Sequence, residues 1–324
     1  MKELVDFQKE FNDHLNSYDF SRNPKNLYQP ISYILQLGGK RLRPTLTLIG
    51  AEIFGVESKK ALDAALSVEV FHNFSLVHDD IMDDAPIRRG KKTVHEKWDV
   101  NTGILSGDAM LILAYKLFET YDPNTFQALA KLFSKTALEV CEGQQYDIDF
   151  ETRDDVLIEE YLKMIEYKTA VLVGASLQMG AIVAGASEED QHKIYEFGKN
   201  LGIAFQIQDD YLDTFGDQEK FGKQIGGDII ENKKTYLYLE ALNLANSDDK
   251  EQLGHLFSLS PSDPAEKINS VISIYKQYNI PERTQIAIKE YTELAYNVLD
   301  EIAISSGHKK MLIAIGQGLM SRKV

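Results

Sequence analysis

The chain has 324 residues, 44% hydrophobic and 26% charged, enough apolar matter for a substantial core. Its formal net charge of −15 argues against nucleic-acid binding and against electrostatic attachment to a membrane, and an anionic substrate is repelled at long range unless cations invert the field locally. The single cysteine, Cys141, permits no internal disulfide, fits a reducing cytoplasm and reads as a small buried apolar residue.

Met1-Lys2-Glu3-Leu4 lacks the apolar run of an export signal, and Leu4, Phe7, Phe11 and Leu15 recur at helical spacing. After a loop at Asn23-Pro24 comes Gly38-Gly39-Lys40-Arg41-Leu42-Arg43-Pro44. If that stretch is helical, Lys40 and Arg43 stand i, i+3 apart and reach one phosphate. The turn-free run from Ala61 to Val77 carries His72, which on residues alone is a satisfied core histidine. It leads into His78-Asp79-Asp80-Ile81-Met82-Asp83-Asp84, where the spacing stacks Asp79 and Asp83 a turn apart on one helix face. Pro86 then breaks the helix ahead of Arg88-Arg89-Gly90-Lys91-Lys92. Adjacent arginines point different ways and can serve two phosphates.

The densest apolar stretch, Ala109 to Tyr115, is far short of the roughly 18–20 residues that cross a bilayer, so no transmembrane segment is expected. Another breaker, Asp122-Pro123-Asn124, precedes a long alanine-rich helical run from Tyr161 to Gly185. Lys168 in that run is, on residues alone, a snorkelling surface lysine, and the mixture of small and large residues from Val171 to Ala181 suits tight helix packing. Leu201 to Ile207 then opens on Gln208-Asp209-Asp210-Tyr211-Leu212-Asp213, a second acidic cluster with the spacing of the first. It too is followed by basic residues, Lys220, Lys223, Lys233 and Lys234. From about Ser247 the helical periodicity continues without a chemical motif, with Pro264 and Pro281 suited to first helical positions.

A lone Asp-rich turn is an ordinary solvated face. Like charges at i, i+4 cost a helix roughly 0.2–0.5 kcal/mol per pair, and two such faces, each embedded in an apolar run and followed by cations, point instead to a divalent metal bridging phosphates. Oxygen-only ligands favour magnesium. The expected architecture is all-α, a single domain over residues 1–324 with helices stacked around a deep central cavity.

These motifs, in this order, make the chain resemble the trans-isoprenyl diphosphate synthases of the polyprenyl synthetase family, from roughly residue 36 to 240. The resemblance implies the isoprenoid-synthase helix bundle, a homodimer and a magnesium-dependent prenyltransferase that joins isopentenyl diphosphate to an allylic diphosphate. Carried over by position, Lys40, Arg43, His72 and Arg89 would hold the isopentenyl diphosphate. Arg88, Lys168, Thr169, Gln206, Lys223 and Lys233 would grip the allylic diphosphate. Asp79, Asp83 and Asp209 would lead in binding magnesium, with Asp80, Asp210 and Asp213 in close support, Asp80 and Asp213 being counted with the ligands. Lys168-Thr169 resembles the family's mid-helix kink.

Product length is expected to follow Phe74 and Ser75, five and four positions before Asp79 and so about one turn deeper. One aromatic there resembles enzymes that stop at geranylgeranyl diphosphate, and a farnesyl product is next in line. The intact second motif and the Gly-Gly-Lys-Arg stretch speak against a class I terpene cyclase. Both Asp motifs being whole speaks against a non-catalytic subunit of a heteromeric synthase, and the basic loops speak against an acidic helical scaffold.

Overall fold

A computed structural model describes residues 2–216 and 225–321. In chain order its elements are α1 (Leu4–Ser17), α2 (Lys25–Gln36), α3 (Leu42–Ile53), α4 (Leu62–Met82), a hairpin of β1 (Ile87–Arg88) and β2 (Lys91–Lys92), α5 (Val94–Lys97), α6 (Val100–Lys116), α7 (Pro123–Glu151), α8 (Ile158–Ile165), a π-helical turn Glu166–Ala170, α9 (Val171–Val183), α10 (Glu188–Phe215), α11 (Gly227–Ile230), α12 (Tyr236–Leu244), α13 (Ser247–Leu256), α14 (Ala265–Gln277), α15 (Ile280–Asp300) and α16 (Ser306–Met320). The fold is all-α apart from that two-stranded hairpin. Packing of Cα atoms separates two compact units, Met1–Ser134 with Ala175–Tyr195, and Lys135–Gly174 with Glu196–Val324. No described helix is long and apolar enough to cross a membrane.

In the first unit, α4 is buried on nearly every side, through Ala64, Ala65, Leu66, Val68, Val70, Phe71, Phe74 and Val77, with Ser67, Glu69 and Asn73 buried among them. Phe71 meets Phe133 edge-on at 5.0 Å, and Phe7, Phe11 and Leu15 bury the predicted stripe of α1. In the second unit, Tyr161, Ile207, Leu237, Tyr238, Val271 and Tyr275 belong to one continuous core.

Three local expectations change. Cys141 is exposed, because its neighbour Val140 takes the inward position on α7. The run from Tyr161 to Gly185 is not one uniform helix, since the π turn interrupts it at Glu166–Ala170. Pro281 does sit in the first turn of α15, but Pro264 is the cap residue before α14 and not its first helical residue.

Candidate active site

In the first unit the acidic turn closes α4. Asp83 caps the helix and donates its backbone N–H to the Asp79 carbonyl at 2.8 Å, so the two carboxylates remain one turn apart. Asp80 lies about 100° round the helix and turns inward to 1% exposure. Both its oxygens accept from Arg88 Nε at 2.9 Å, and Arg88 Nη2 lies 2.7 Å from Oδ1. A helix C-terminus disfavours buried negative charge, and the Arg88 fork offsets it.

The hairpin that delivers Arg88 pairs Ile87 with Lys92 and Arg88 with Lys91. Arg89 and Gly90, at φ 52° and 73°, form its two-residue turn, the left-handed arrangement such tight hairpins require. Arg89 donates to the Gly38 carbonyl. Gly39 has φ 126°, a backbone conformation that an L side chain rarely adopts, and a Cβ there would stand 2.8 Å from the Arg89 guanidinium carbon, which would have to shift.

Those glycines also overturn the helical reading of Lys40 and Arg43. Helix α3 begins only at Leu42, after Arg41 in the left-handed region, so Lys40 lies on the preceding irregular segment and the two cations are not stacked on a helical turn. Arg41 is an internal strut: 7% exposed, it pairs with Glu69, itself 2% exposed, and Asn73 Nδ2 donates to the same Glu69 oxygen at 2.9 Å. Arg43 Nη1 donates to His72 Nε2 at 3.3 Å. Burial first, then Arg43, Arg89, Arg88 and Arg41, hold the His72 pKa well below its ordinary value, which leaves the ring neutral and able to accept. Arg43 Nε is buried with no partner among the described residues, a donor suited to an incoming anion. Below the acidic turn, Phe74 is 9% exposed and packs on Phe71 at 5.6 Å and His78 at 4.8 Å. The Ser75 hydroxyl donates back to the His72 carbonyl at 3.0 Å.

In the second unit a cavity of about 260 Å³ collects Lys168, Thr169, Gln206, Asp209, Asp210, Asp213 and Lys233 from the sequence-predicted set. The π turn places two of them. A Cβ on Gly143 of α7 would lie 2.2 Å from the Lys168 backbone nitrogen, and one on Gly202 of α10 would lie 2.7 Å from the Ala170 Cα, so glycines on both helices let the widened turn pack. Lys168 then pairs with Asp147 at 2.5 Å, and Thr169 Oγ1 donates to Gln206 Oε1 at 3.3 Å.

Asp210 repeats the role of Asp80. At 6% exposure it accepts from the Tyr161 hydroxyl at 2.5 Å, Gln206 Nε2 at 3.3 Å and the Tyr236 amide at 3.5 Å, leaving Asp209 and Asp213 as the cavity's forward pair. Asp213 is aimed by the Asp228 amide, which donates to its Oδ2 at 2.9 Å. Burial above all, and then the crowding of neighbouring carboxylates, raises the proton affinity of Asp210 and Asp228. Lys233 pairs with Glu231 at 2.7 Å and stands 3.8 Å from Asp228.

Lys223 lies outside the described residues. Asp147, Glu151, Tyr161, Asp228 and Lys234 line the cavity without having been chosen from sequence, as Glu69 and Asn73 were not in the first unit. An acid inside an otherwise apolar helical run, such as Glu69 in Val68-Glu69-Val70, is the signal that could have found one of them. Among the described residues, no three His, Cys, Asp or Glu side chains converge on a metal position. Magnesium does not require such a cage, since it takes one or two carboxylates and completes its shell with phosphate oxygens and water, and the pairs Asp79/Asp83 and Asp209/Asp213 fit that demand.

An all-helical chain with two acidic turns, each buttressed by an inward second aspartate and flanked by cations, is the framework of a trans-prenyltransferase. The chain belongs to the polyprenyl synthetase family, whose pattern matches residues 24–275, a longer reach than the motifs alone suggest. A crystal structure of a geranylgeranyl pyrophosphate synthase superposes with a TM-score of 0.96 at 54% identity, covering 100% of both chains. Geranylgeranyl diphosphate synthase of Sulfolobus acidocaldarius is 38% identical over 91% of this chain and 90% of its own. A short chain isoprenyl diphosphate synthase of Methanothermobacter thermautotrophicus is 34% identical over 93% and 91%.

Proposed function

We propose that the protein condenses isopentenyl diphosphate with dimethylallyl, geranyl or farnesyl diphosphate, with magnesium, and releases mainly geranylgeranyl diphosphate. One observation carries the reading: the second unit's cavity sets six carboxylates, Asp147, Glu151, Asp209, Asp210, Asp213 and Asp228, against three lysines, Lys168, Lys233 and Lys234. Such a cavity repels a diphosphate by itself and accepts one together with divalent cations. Magnesium, when bound, neutralises the carboxylates and the diphosphate oxygens and eases departure of the leaving group.

The residues then divide the work. In the second unit Lys168, Thr169, Gln206 and Lys233, with Lys223, orient the allylic diphosphate beside Asp209 and Asp213; in the first, Arg88 serves the same ligand beside Asp79 and Asp83. Lys40, Arg43, His72 and Arg89 hold the isopentenyl diphosphate. As the allylic C–O bond breaks, both electrons leave with the diphosphate. The isopentenyl double bond supplies the pair for the new C–C bond, and the departing diphosphate removes the proton that restores an allylic double bond. No protein nucleophile is used.

Relatives named geranylgeranyl diphosphate synthases and the single bulky floor residue Phe74 beside Ser75 support a twenty-carbon product. The homodimer is supported by an apolar stripe on α6, where Ile104, Leu105 and Ile112 are 41%, 59% and 65% exposed in the single chain, since contiguous apolar surface marks interaction sites.

Magnesium, labelled isopentenyl diphosphate and each allylic primer in turn test the proposal. A magnesium-dependent twenty-carbon product is expected, and D79N or D209N should each lower kcat on the order of 10²–10³-fold, the scale of losing one electrostatic stabiliser. Folded protein that extends none of the primers would refute it.

A further inference from the structure

In a chain of net charge −15, one cleft of the first unit is lined by cations and by no acid. It encloses about 540 Å³ between the connection that follows α1, the first turns of α2, and α5, within the roughly 300–1,000 Å³ of small-molecule pockets. The prenyl-transfer chemistry does not use it. Arg22, Lys25 and Lys97 supply the charge, and Tyr28, Tyr33 and Trp98 supply flat apolar wall. Tyr33 and Trp98 meet edge to face at 5.3 Å. Lys97 Nζ stands 3.6 Å from the Tyr33 centroid and 4.7 Å from that of Trp98, so its charge is fixed against the rings. No side chain caps α2, whose N-cap is Pro24, and its first-turn amides and dipole add further partial positive charge. The nearby Asp19 is engaged by the Ser21 amide at 2.7 Å.

We propose that this cleft binds a nucleoside di- or triphosphate. The phosphates meet Arg22, Lys25 and the first turn of α2, where the guanidinium fork matches phosphate geometry. The base stacks on the aromatic wall, a contact that tolerates any base because each has a π face. Free phosphate would leave the rings unused, and an uncharged ring would leave the cations unused.

Trp98 is the only tryptophan, so its emission reports on the cleft directly. The Tyr33 hydroxyl also donates to the Lys92 carbonyl at 2.8 Å, so Trp98 could sense ligands at the basic hairpin, and the control is a variant of the catalytic site. The full chain would be titrated with ADP, with adenosine as the ring-only probe and pyrophosphate as the charge-only probe, and again as R22E/K25E and as R43A. The expected result is a saturable ADP response at least tenfold tighter than either partial probe. R22E/K25E should weaken it at least tenfold while prenyl transfer is unchanged, and R43A should leave it intact. R22Q/K25Q followed by calorimetry should show the same weakening without charge reversal. The proposal is overturned by no saturable response at millimolar ADP, by a response lost in R43A yet kept in R22E/K25E, or by equal binding of pyrophosphate, which would make the cleft a general anion patch.

Discussion

Glu69→Gln should destabilise the first unit by about 3–5 kcal/mol, the cost of leaving a buried charge without its partner. The geometry sets the scale. Arg41 has a side chain 6% exposed and Glu69 one 3% exposed, so neither recovers hydration when the pair is broken. Glutamine keeps the volume and an acceptor for Asn73, and the Leu35 carbonyl still accepts from Arg41, but the compensating charge is gone. The consequence spreads, because Glu69 also favours the charged forms of Arg43 and Arg89; without it those arginines and Arg41 repel one another around His72. At about 2–4 °C per kcal/mol for a unit of 150–250 residues, the midpoint should fall by roughly 6–20 °C. Calorimetry and urea titration would measure the loss, and the double variant R41M/E69Q should recover most of it by removing the orphaned charge as well. A loss below about 1 kcal/mol, the scale of an exposed ion pair, with no recovery in the double variant, would refute the reasoning.

Three further outcomes are expected. Phe74→Ala should shift products to longer chains by liquid chromatography, and an unchanged product spectrum would remove Phe74 as the floor. His72 should remain neutral in carbon and nitrogen NMR spectra at pH 6. Its folded pKa lies below the unfolded value near 6.5, so on acidification the unfolded chain takes up the proton first. Stability therefore falls as pH drops below about 6.5, until the folded ring itself titrates; H72Q should abolish that slope, and titration near 6.5 in the folded protein would contradict it. Gly143→Ala should cost about 1–3 kcal/mol through overpacking against the Lys168 backbone and raise the KM for the allylic primer; wild-type stability and KM together would show that the π turn gives way freely.

The acidic turns were legible in the sequence because their spacing and their apolar surroundings contradict each other unless something binds there. Lys168-Thr169, Arg88 and Arg89 were legible once the resemblance supplied a register. Which aspartate of each turn faces inward was not, because Asp79, Asp80, Asp209 and Asp210 are the same residue type and only the partners Arg88, Tyr161 and Gln206 distinguish them. Arg88 and Tyr161 come from other elements, the hairpin and α8, while Gln206 shares α10 with Asp210. Lys40 misled through its spacing: an i, i+3 pair means something only inside a helix, and the positive φ of Gly38, Gly39 and Arg41 delays α3 to Leu42. Asp147 was missed because it stands with Asp149 and Glu151 and resembles a solvated face, and Asp228 because one acid in a short glycine-led stretch has no periodicity to place it.

The turn at Glu166–Ala170 closes its hydrogen bonds one residue late, and one added residue rotates the downstream helix by about 100° on an α-helical wheel. Side chains of α8 and α9 therefore follow two different phases of one continuous rod. Deleting a single residue there would restore regular winding and leave the downstream apolar face where it is, because the wide turn takes up the extra residue, but it would remove the bulge that carries Lys168 and Thr169. The segment should thus keep its helix packing when one residue is lost while losing the placement of those two side chains, so that stability and allylic-substrate binding part company there.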